Sequence, residues 1–460
     1  MPKPSPTPTT QRTKPEWLVQ FGRRLLVARG QAGLTQQSLG APDLSKSFIS
    51  LLETGRSYPS VETVVSLARR VRGSVASLLI DEPELKRETA FNLLHLADKM
   101  DPASQGTRAA RLIATAETLL PDMPADLAAQ AALVRARAAM LMHKLDEATR
   151  LADEAASIAA HHHLGSAGAK ALAFKGMIEV RRGAYTRAIP ILERAIEQMR
   201  RTRIARTEES IWALLSLGSA GYYLGQANRA QRAYKRAQEL ATRLHNERLR
   251  GRALMGLGLV EWTRKRLDPA VELLSKAYDS FEQVEDLIEM SRALTNLGLV
   301  RKEQGLHAEA LAVLERALRM KGKLGDTRGR SVTLDEMAQV LLEMNRRGDA
   351  ARAARQAMKA ASVVSDVSRK ANAQVTLGRV MRAQGRRREA IALLKTAVAT
   401  LRRLGSTDLA AKTADELGLM LKDTGARTRG AEHVKRASRP KAATSPIRSP
   451  EHAIEGLPLS

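Results

Sequence analysis

From about residue 125 onward, small residues recur on a fixed lattice. Gly176, Gly218, Gly258, Gly298, Ala338, Gly378 and Gly418 stand 40 positions apart, with one longer interval between the first two. Twelve residues after each comes a second small residue: Ala188, Ala230, Ala270, Ala310, Ala350, Ala390 and Gly430. Seven further on sit Ala195, Ala237, Ala277, Ala317, Ala357, Ala397 and Ala437. Ala136, Ala148 and Ala155 carry the same offsets one period earlier. Small residues at fixed offsets let two antiparallel helices approach closely. Large apolar residues between them, such as Leu214, Leu217 and Tyr234 or Leu294, Leu297 and Leu314, fill the space. The pattern predicts stacked helical pairs over residues 125–437, as seven full repeats and a truncated eighth.

The pattern before residue 83 is different. Phe21, Leu25 and Leu26 recur at helical spacing and Gly33 can stop that segment. Three helix starts follow, each behind a capping side chain: Thr35 before QQSLG, Ser45 before KSFISLLE and Ser60 before VETVVSLARRV. A fifth short helix starts at Ser74 and carries Leu78 and Leu79. Five short helices over 16–82, with a tight turn between the second and third, predict a compact helix-turn-helix domain. Residues 83–124, interrupted by Pro102 and closed by Pro121, read as a helical connector or degenerate repeat. The two ends, 1–15 and 438–460, are Pro- and Ser-rich and aperiodic, and are expected to be disordered tails.

Composition narrows the picture. The chain has 460 residues, a formal charge of +26 and no cysteine. The charge favours a polyanionic partner. The missing thiols exclude disulfides, thiolate metal sites and cysteine nucleophiles. No run approaches the ~20 apolar residues a membrane span needs, so no membrane partner and a cytoplasmic location are expected. Aromatics make up 3%, too few for stacking platforms on single-stranded nucleic acid to dominate. Abundant Ala, Leu and Arg with few β-branched runs predict an all-α protein.

The N-terminal motif is specific enough to resemble a known family. Leu25, Arg29, Gly33-Leu34-Thr35-Gln36, then Ser45-Lys46-Ser47-Phe48-Ile49-Ser50, Glu53 and Gly55, resemble the Cro/repressor (xenobiotic-response-element) family over roughly residues 17–80. Pro59-Ser60, Glu62 and Thr63 continue the resemblance. Two departures stand out: Gly40 replaces the usual Ala, and the turn Ala41-Pro42-Asp43 is one residue shorter than the commonest form. They leave the register of the third helix open. The later lattice closely resembles the tetratricopeptide repeat, with a period of 40 in place of the usual 34. Together the two resemble quorum-sensing regulators whose repeat domains bind short signalling peptides.

A recognition helix meets the major groove with its N-terminal residues. With Ser45 as cap, Lys46, Ser47, Ser50 and Leu51 are the base-reading candidates. Phe48, Ile49 and Leu52 are expected to point inward, against Leu39 and Leu67. Gln36, Ser45 and Arg56 are candidates for phosphates. The resemblance implies that Arg29 and Glu53 pair internally as a structural brace. One such domain covers too little DNA for tight specific binding, so a homodimer on double-stranded DNA is expected.

In stacked helical pairs the first helices line the concave face. With the marker glycine counted as position eight, positions two, five, six, nine, twelve and thirteen face inward. This assigns Lys170, Trp212, Tyr222, Tyr223 and Arg252 to that face. It also assigns Trp262, Arg292, Asn296, Arg379 and Arg382. The resemblance implies that an Asn at position six, Asn296, holds a peptide backbone through its paired donor and acceptor. Arg252 and Arg292 could clamp a carboxylate, and Trp262 and Tyr222 could supply apolar pockets. The run His161-His162-His163 reads as a solvated loop, since consecutive histidines on a helix cannot all face one metal ion. No nucleophile–base pair, phosphate loop or paired carboxylates stand out, so neither enzymatic activity nor a cofactor or metal is expected. The expected function is a transcriptional regulator that binds operator DNA and senses a peptide or protein on its repeats. The alternative is an interaction scaffold whose first domain serves for docking.

Overall fold

A computed structural model of the chain describes residues 16–79, 82–100 and 102–422. The expected tails at 1–15 and 438–460 lie outside the described residues. The described residues form helices and no strands, so the protein is all-α. They divide into two units that meet in sequence at Ala138–Ala139.

The first unit opens with five helices: α1 (Glu16–Gln31), α2 (Gln36–Gly40), α3 (Lys46–Glu53), α4 (Val61–Arg70) and α5 (Val75–Leu79). The side chains of Thr35, Ser45 and Ser60 accept from the backbone N–H of Ser38, Phe48 and Thr63, which starts α2, α3 and α4 where the sequence places them. Phe21, Leu25, Leu39, Ile49, Leu52 and Leu67 form one buried cluster, with Phe48 packed partly against it. Gly22 is required here. A Cβ on it would lie 2.4 Å from the carbonyl oxygen of Leu52, so α1 and α3 cross backbone to backbone. The next helices, α6 (Glu82–Lys99), α7 (Pro102–Leu119) and α8 (Ala125–Leu141), share a small apolar cluster through Leu94, Ile113, Leu127 and Val134. The segment between the five-helix cluster and the repeats is therefore itself a packed helical hairpin.

The second unit continues with α9 (Leu145–His161), α10 (Gly165–Arg181), α11 (Tyr185–Arg201), α12 (Glu208–Tyr223) and α13 (Ala227–Arg243). Then come α14 (Glu247–Thr263), α15 (Leu267–Glu282), α16 (Leu287–Glu303), α17 (His307–Lys323) and α18 (Thr327–Glu343). It ends with α19 (Arg347–Val363), α20 (Val367–Ala383), α21 (Arg387–Arg403) and α22 (Thr407–Lys422). Even-numbered helices from α10 carry the marker residue, and odd-numbered ones complete each pair. Most of these helices are followed by a residue in the left-handed region, Gly at 183, 225, 305, 325, 385 and 405 and other residues elsewhere, a turn that satisfies the last carbonyls.

The marker lattice has a steric cause. A Cβ on Gly298 would lie 2.7 Å from Leu314, and one on Gly218 would lie 2.5 Å from the Tyr234 ring. Gly176, Gly258 and Gly378 face Leu192, Leu274 and Leu394 in the same way. Each large residue follows its glycine by the same offset. Where the marker is Ala136 or Ala338, that offset leads to Ala152 or Ala354, both fully buried. A Cβ at the marker position thus goes with a small facing residue, and a large facing residue goes with glycine.

Candidate functional sites

In the first unit, α3 divides cleanly. Ile49, Leu52 and Glu53 are buried, while Lys46, Ser47 and Leu51 are exposed and Ser50 is half-buried. Leu51 keeps 42% of its surface, a large apolar group facing solvent beside two polar ones. Ser45 is occupied at the helix N-terminus, accepting from Phe48 N–H at 3.1 Å. Arg56 is exposed just past Gly55.

The inner face of this unit is organised by Glu53. Arg29 Nε donates to Glu53 Oε1 at 2.5 Å and Nη2 donates to Oε2 at 3.3 Å, while Nη1 donates to the Leu34 carbonyl at 2.9 Å. The carboxylate holds the pKa of Arg29 above its ordinary value, chiefly through that hydrogen bond. Gln36 needs a correction. Read from the sequence as a phosphate contact, its side-chain amide instead donates to Glu53 Oε2 at 2.7 Å. A buried carboxylate oxygen that would otherwise lack a second donor draws it inward. The short turn after α2 has a brace that sequence reasoning missed. Arg70 Nη1 donates to the carbonyls of Leu39 and Gly40 at 2.9 and 2.8 Å, and Nη2 donates to Asp43 Oδ2 at 2.6 Å. These bonds fix where α2 stops, and with the Ser45 cap they set the register of α3.

In the second unit the expected peptide groove fares differently. Arg252 and Arg292 do clamp a carboxylate, but it belongs to the chain itself. Arg252 Nη2 donates to Glu289 Oε1 at 2.5 Å and Arg292 Nη1 donates to the same oxygen at 3.0 Å. The Arg252 guanidinium also lies 4.8 Å from the centre of the Trp212 ring. Asn296 is fully buried rather than on an open face. Trp262 retains only 3% of its surface and donates Nε1–H to Glu303. Tyr222 is equally enclosed, and its hydroxyl has no hydrogen-bond partner among the described residues. Arg252 and Trp262 are drawn into the wall by acids of the next first helix, Glu289 near the start of α16 and Glu303 at its end.

An open groove lies further along, between α18, α20 and α22. Asp335, Glu336, Gln339, Arg369, Asn372, Thr376 and Arg379 line it. Lys302 Nζ bonds Glu336 Oε2 at 2.8 Å, and Arg379 grips Glu416 with two hydrogen bonds of 2.6 and 3.1 Å. Asp335 keeps some surface, but its Oδ1 is enclosed with no donor. Burial, and then the neighbouring Glu336 carboxylate, push its pKa up to about 7. The side chains of Arg369 and Asn372 make no hydrogen bond or ion pair among the described residues and point their polar groups at the groove. Neither was singled out from the sequence. Arg382 is exposed on the same helix, and His161, His162 and His163 are exposed at the end of α9. A signal for the filled sites did exist in the sequence. Cations of one first helix meet acids 34–39 residues later, as in Lys170–Glu209 and Arg252–Glu289.

The geometry defines a class, the tetratricopeptide-repeat solenoid. Tetratricopeptide repeat models match residues 209–283 and 289–362, and a second such model matches residues 336–408. Three solved structures share the fold. The apo form of RapI has 15% identity and a TM-score of 0.56, the match covering 77% of this chain and 95% of that one. A Rap protein complexed with Competence and Sporulation Factor has 16% identity and a TM-score of 0.51, covering 75% and 99%. Aspartyl phosphate phosphatase F from Bacillus subtilis has 15% identity and a TM-score of 0.52, covering 78% and 94%. No curated protein sequence matches the chain. No helix among the described residues is long and apolar enough to cross a membrane.

Proposed function

We propose that the protein is a cytoplasmic transcriptional regulator in which α2 and α3 form a helix-turn-helix that reads operator DNA and the repeat unit senses a peptide. The observation that carries the DNA half is the two-sided character of α3. Ile49 and Leu52 anchor it, Glu53 ties it to Arg29, and Lys46, Ser47, Ser50 and Leu51 are left facing outward. In the major groove, Lys46 donates to guanine acceptors and Leu51 meets a thymine methyl. Arg56 and Ser45 are placed to contact phosphates, while Gln36 acts through Glu53 by bracing α2. The protein works as a dimer across half-sites about 34 Å apart. The peptide half rests on the open groove between α18 and α20, and a Rap protein of the same fold was crystallised with Competence and Sporulation Factor. This reading assigns the chain no catalytic step.

The test is a gel shift of genomic fragments with the full chain, with Lys46→Ala and with Lys46→Ala/Ser50→Ala. Loss of the sequence-specific band with retention of weak, salt-sensitive binding supports base reading by α3. Equal shifts for all three proteins exclude it. No shifted band for the unaltered chain favours the scaffold function.

A further inference from the structure

The second helices of the repeat unit carry their charge unevenly. Helix α13, ANRAQRAYKRAQELATR, holds five cations and one acid. Helix α15, LDPAVELLSKAYDSFE, holds four acids and one lysine. On α13, Arg232, Lys235, Arg236 and Arg243 are exposed, and their side chains make no hydrogen bond or ion pair among the described residues. On α15, Glu272, Asp279 and Glu282 are exposed. Glu272 pairs with Lys276 of its own helix at 2.6 Å, and Glu282 accepts from the Tyr278 hydroxyl at 3.3 Å. The Asp279 carboxylate has no partner among the described residues.

The two faces lie side by side. Helix α14 packs against both: a Cβ on Gly256 would lie 2.6 Å from the Tyr234 ring of α13, and one on Gly258 would lie 2.9 Å from Leu274 of α15. Consecutive second helices touch on either side of this pair. Arg229 of α13 reaches Glu193 of α11 at 3.4 Å, and the Arg316 guanidinium of α17 lies 4.8 Å from the centre of the Tyr278 ring of α15. Yet no ion pair joins α13 to α15 among the described residues. Two adjoining faces of opposite sign are thus left open to solvent.

We propose that the α13–α15 face pairs with the same face of a second copy of this chain. A two-fold axis that runs between the two helices and parallel to them sets α13 of each copy on α15 of the other. The surface is then self-complementary, as a two-fold interface requires. Residues 40 apart come level across this axis, so Arg232 stands opposite Glu272 of the second copy. Arg243 falls beside Glu282 of that copy and within a turn of its Asp279. The minority charges answer each other too, Glu239 lying within a turn of Lys276 of the second copy. The outer surface of stacked helical pairs curves away on both sides, so these two helices are the ones that meet. A nucleic acid would engage α13 and leave the acids of α15 unanswered, whereas a second copy uses both. The inference deepens the dimer proposed above for operator reading and rests on it, adding where the two copies join.

The experiment is sedimentation equilibrium of the full chain without DNA. The unaltered chain should dimerise, and less tightly as salt rises, because screening acts on exposed charges. The set Arg232→Glu/Arg236→Glu/Arg243→Glu turns the whole face acidic, and the set Glu272→Lys/Asp279→Lys/Glu282→Lys turns it basic. Each set alone should weaken the dimer by about a hundredfold, since like charges then meet. Mixed in equal amounts, the two variants should associate about as tightly as the unaltered chain does. Reversal of three exposed cations on α19 and α21, Arg355→Glu/Lys359→Glu/Lys395→Glu, removes as much positive charge elsewhere and should leave the dimer intact. Melting curves close to that of the unaltered chain show that each variant is folded.

Three results overturn the proposal: a dimer unmoved by either set, a dimer weakened by the α13 set but not by the α15 set, or no association between the two variants when mixed. The first leaves the operator dimer standing and puts its interface elsewhere. Loss of non-specific DNA retention by the α13 set, with the dimer unmoved, assigns that helix to a phosphate backbone instead. An unaltered chain that is monomeric also overturns the proposal, and a two-step operator gel shift would in that case leave a dimer formed on DNA.

Discussion

Two stretches of the same solenoid put arginine and asparagine on their first helices to opposite ends. In the middle, around α14 and α16, Arg252, Arg292, Asn296 and Trp262 are all drawn into the wall. Toward the end, around α18 and α20, Arg369 and Asn372 stand at the groove with their polar groups unengaged. Residue type does not separate the two stretches, since both offer arginine and asparagine. What separates them is whether an acid one repeat away comes within reach. Glu289 and Glu303 complete the middle, and nothing comparable reaches Arg369.

The sharpest way to break this comparison is to remove a cation from each stretch. Arg252→Ala leaves Glu289 buried with half its partners and should cost about 3–5 kcal/mol. Arg369→Ala should stay within about 0.5 kcal/mol. Urea unfolding of the full chain followed by circular dichroism measures both, and equal losses would erase the distinction.

The first unit extends the comparison, because Glu53 gathers Arg29 and Gln36 much as Glu289 gathers two arginines. Glu53→Ala should cost about 3 kcal/mol, read as faster hydrogen exchange in α1 and α3 with no change in the repeats.

Asp335 gives an effect with a pH signature. Its folded pKa, about 7, lies above the ordinary 3.8, so the folded chain holds this proton more tightly than the unfolded one. Stability from this group is present below about pH 4, declines as pH rises and is lost above pH 7. Asp335→Asn should therefore stabilise the protein at pH 8 by about 2 kcal/mol, roughly half the ceiling set by the full shift. The gain should shrink toward pH 4. A melting-temperature gain independent of pH would show that the carboxyl is not held protonated.

The smallest expected effect separates the two asparagines. Asn296→Ala should cost about 1–2 kcal/mol, because it removes side-chain atoms from a fully buried, packed position. Asn372→Ala should leave the melting temperature unchanged and act only on peptide retention.

Much of the fold was legible because its causes are local or periodic. Capping side chains at Thr35, Ser45 and Ser60 announce helix starts, and the Gly298–Leu314 and Ala338–Ala354 pairings repeat at one offset. The inward face was legible only as a set of positions. The count put Asn296 and Trp262 on the open face, yet both are enclosed, because the count carries no information on how closely neighbouring first helices approach. Gln36 was misjudged for the same kind of reason: its partner Glu53 lies on another helix. Arg70 went unnoticed because nothing near residue 70 in sequence hints at the carbonyls of Leu39 and Gly40.

By itself the sequence determined the helical class, the 40-residue repeat and the residue types available at each repeat position. Those follow from spacing, capping and side-chain volume, which act over a few residues or one period. Only the tertiary structure decided which charges are already answered. Arg252 is answered by a carboxylate 37 residues away, Glu289, and the packing of successive helices alone brings it within hydrogen-bonding distance.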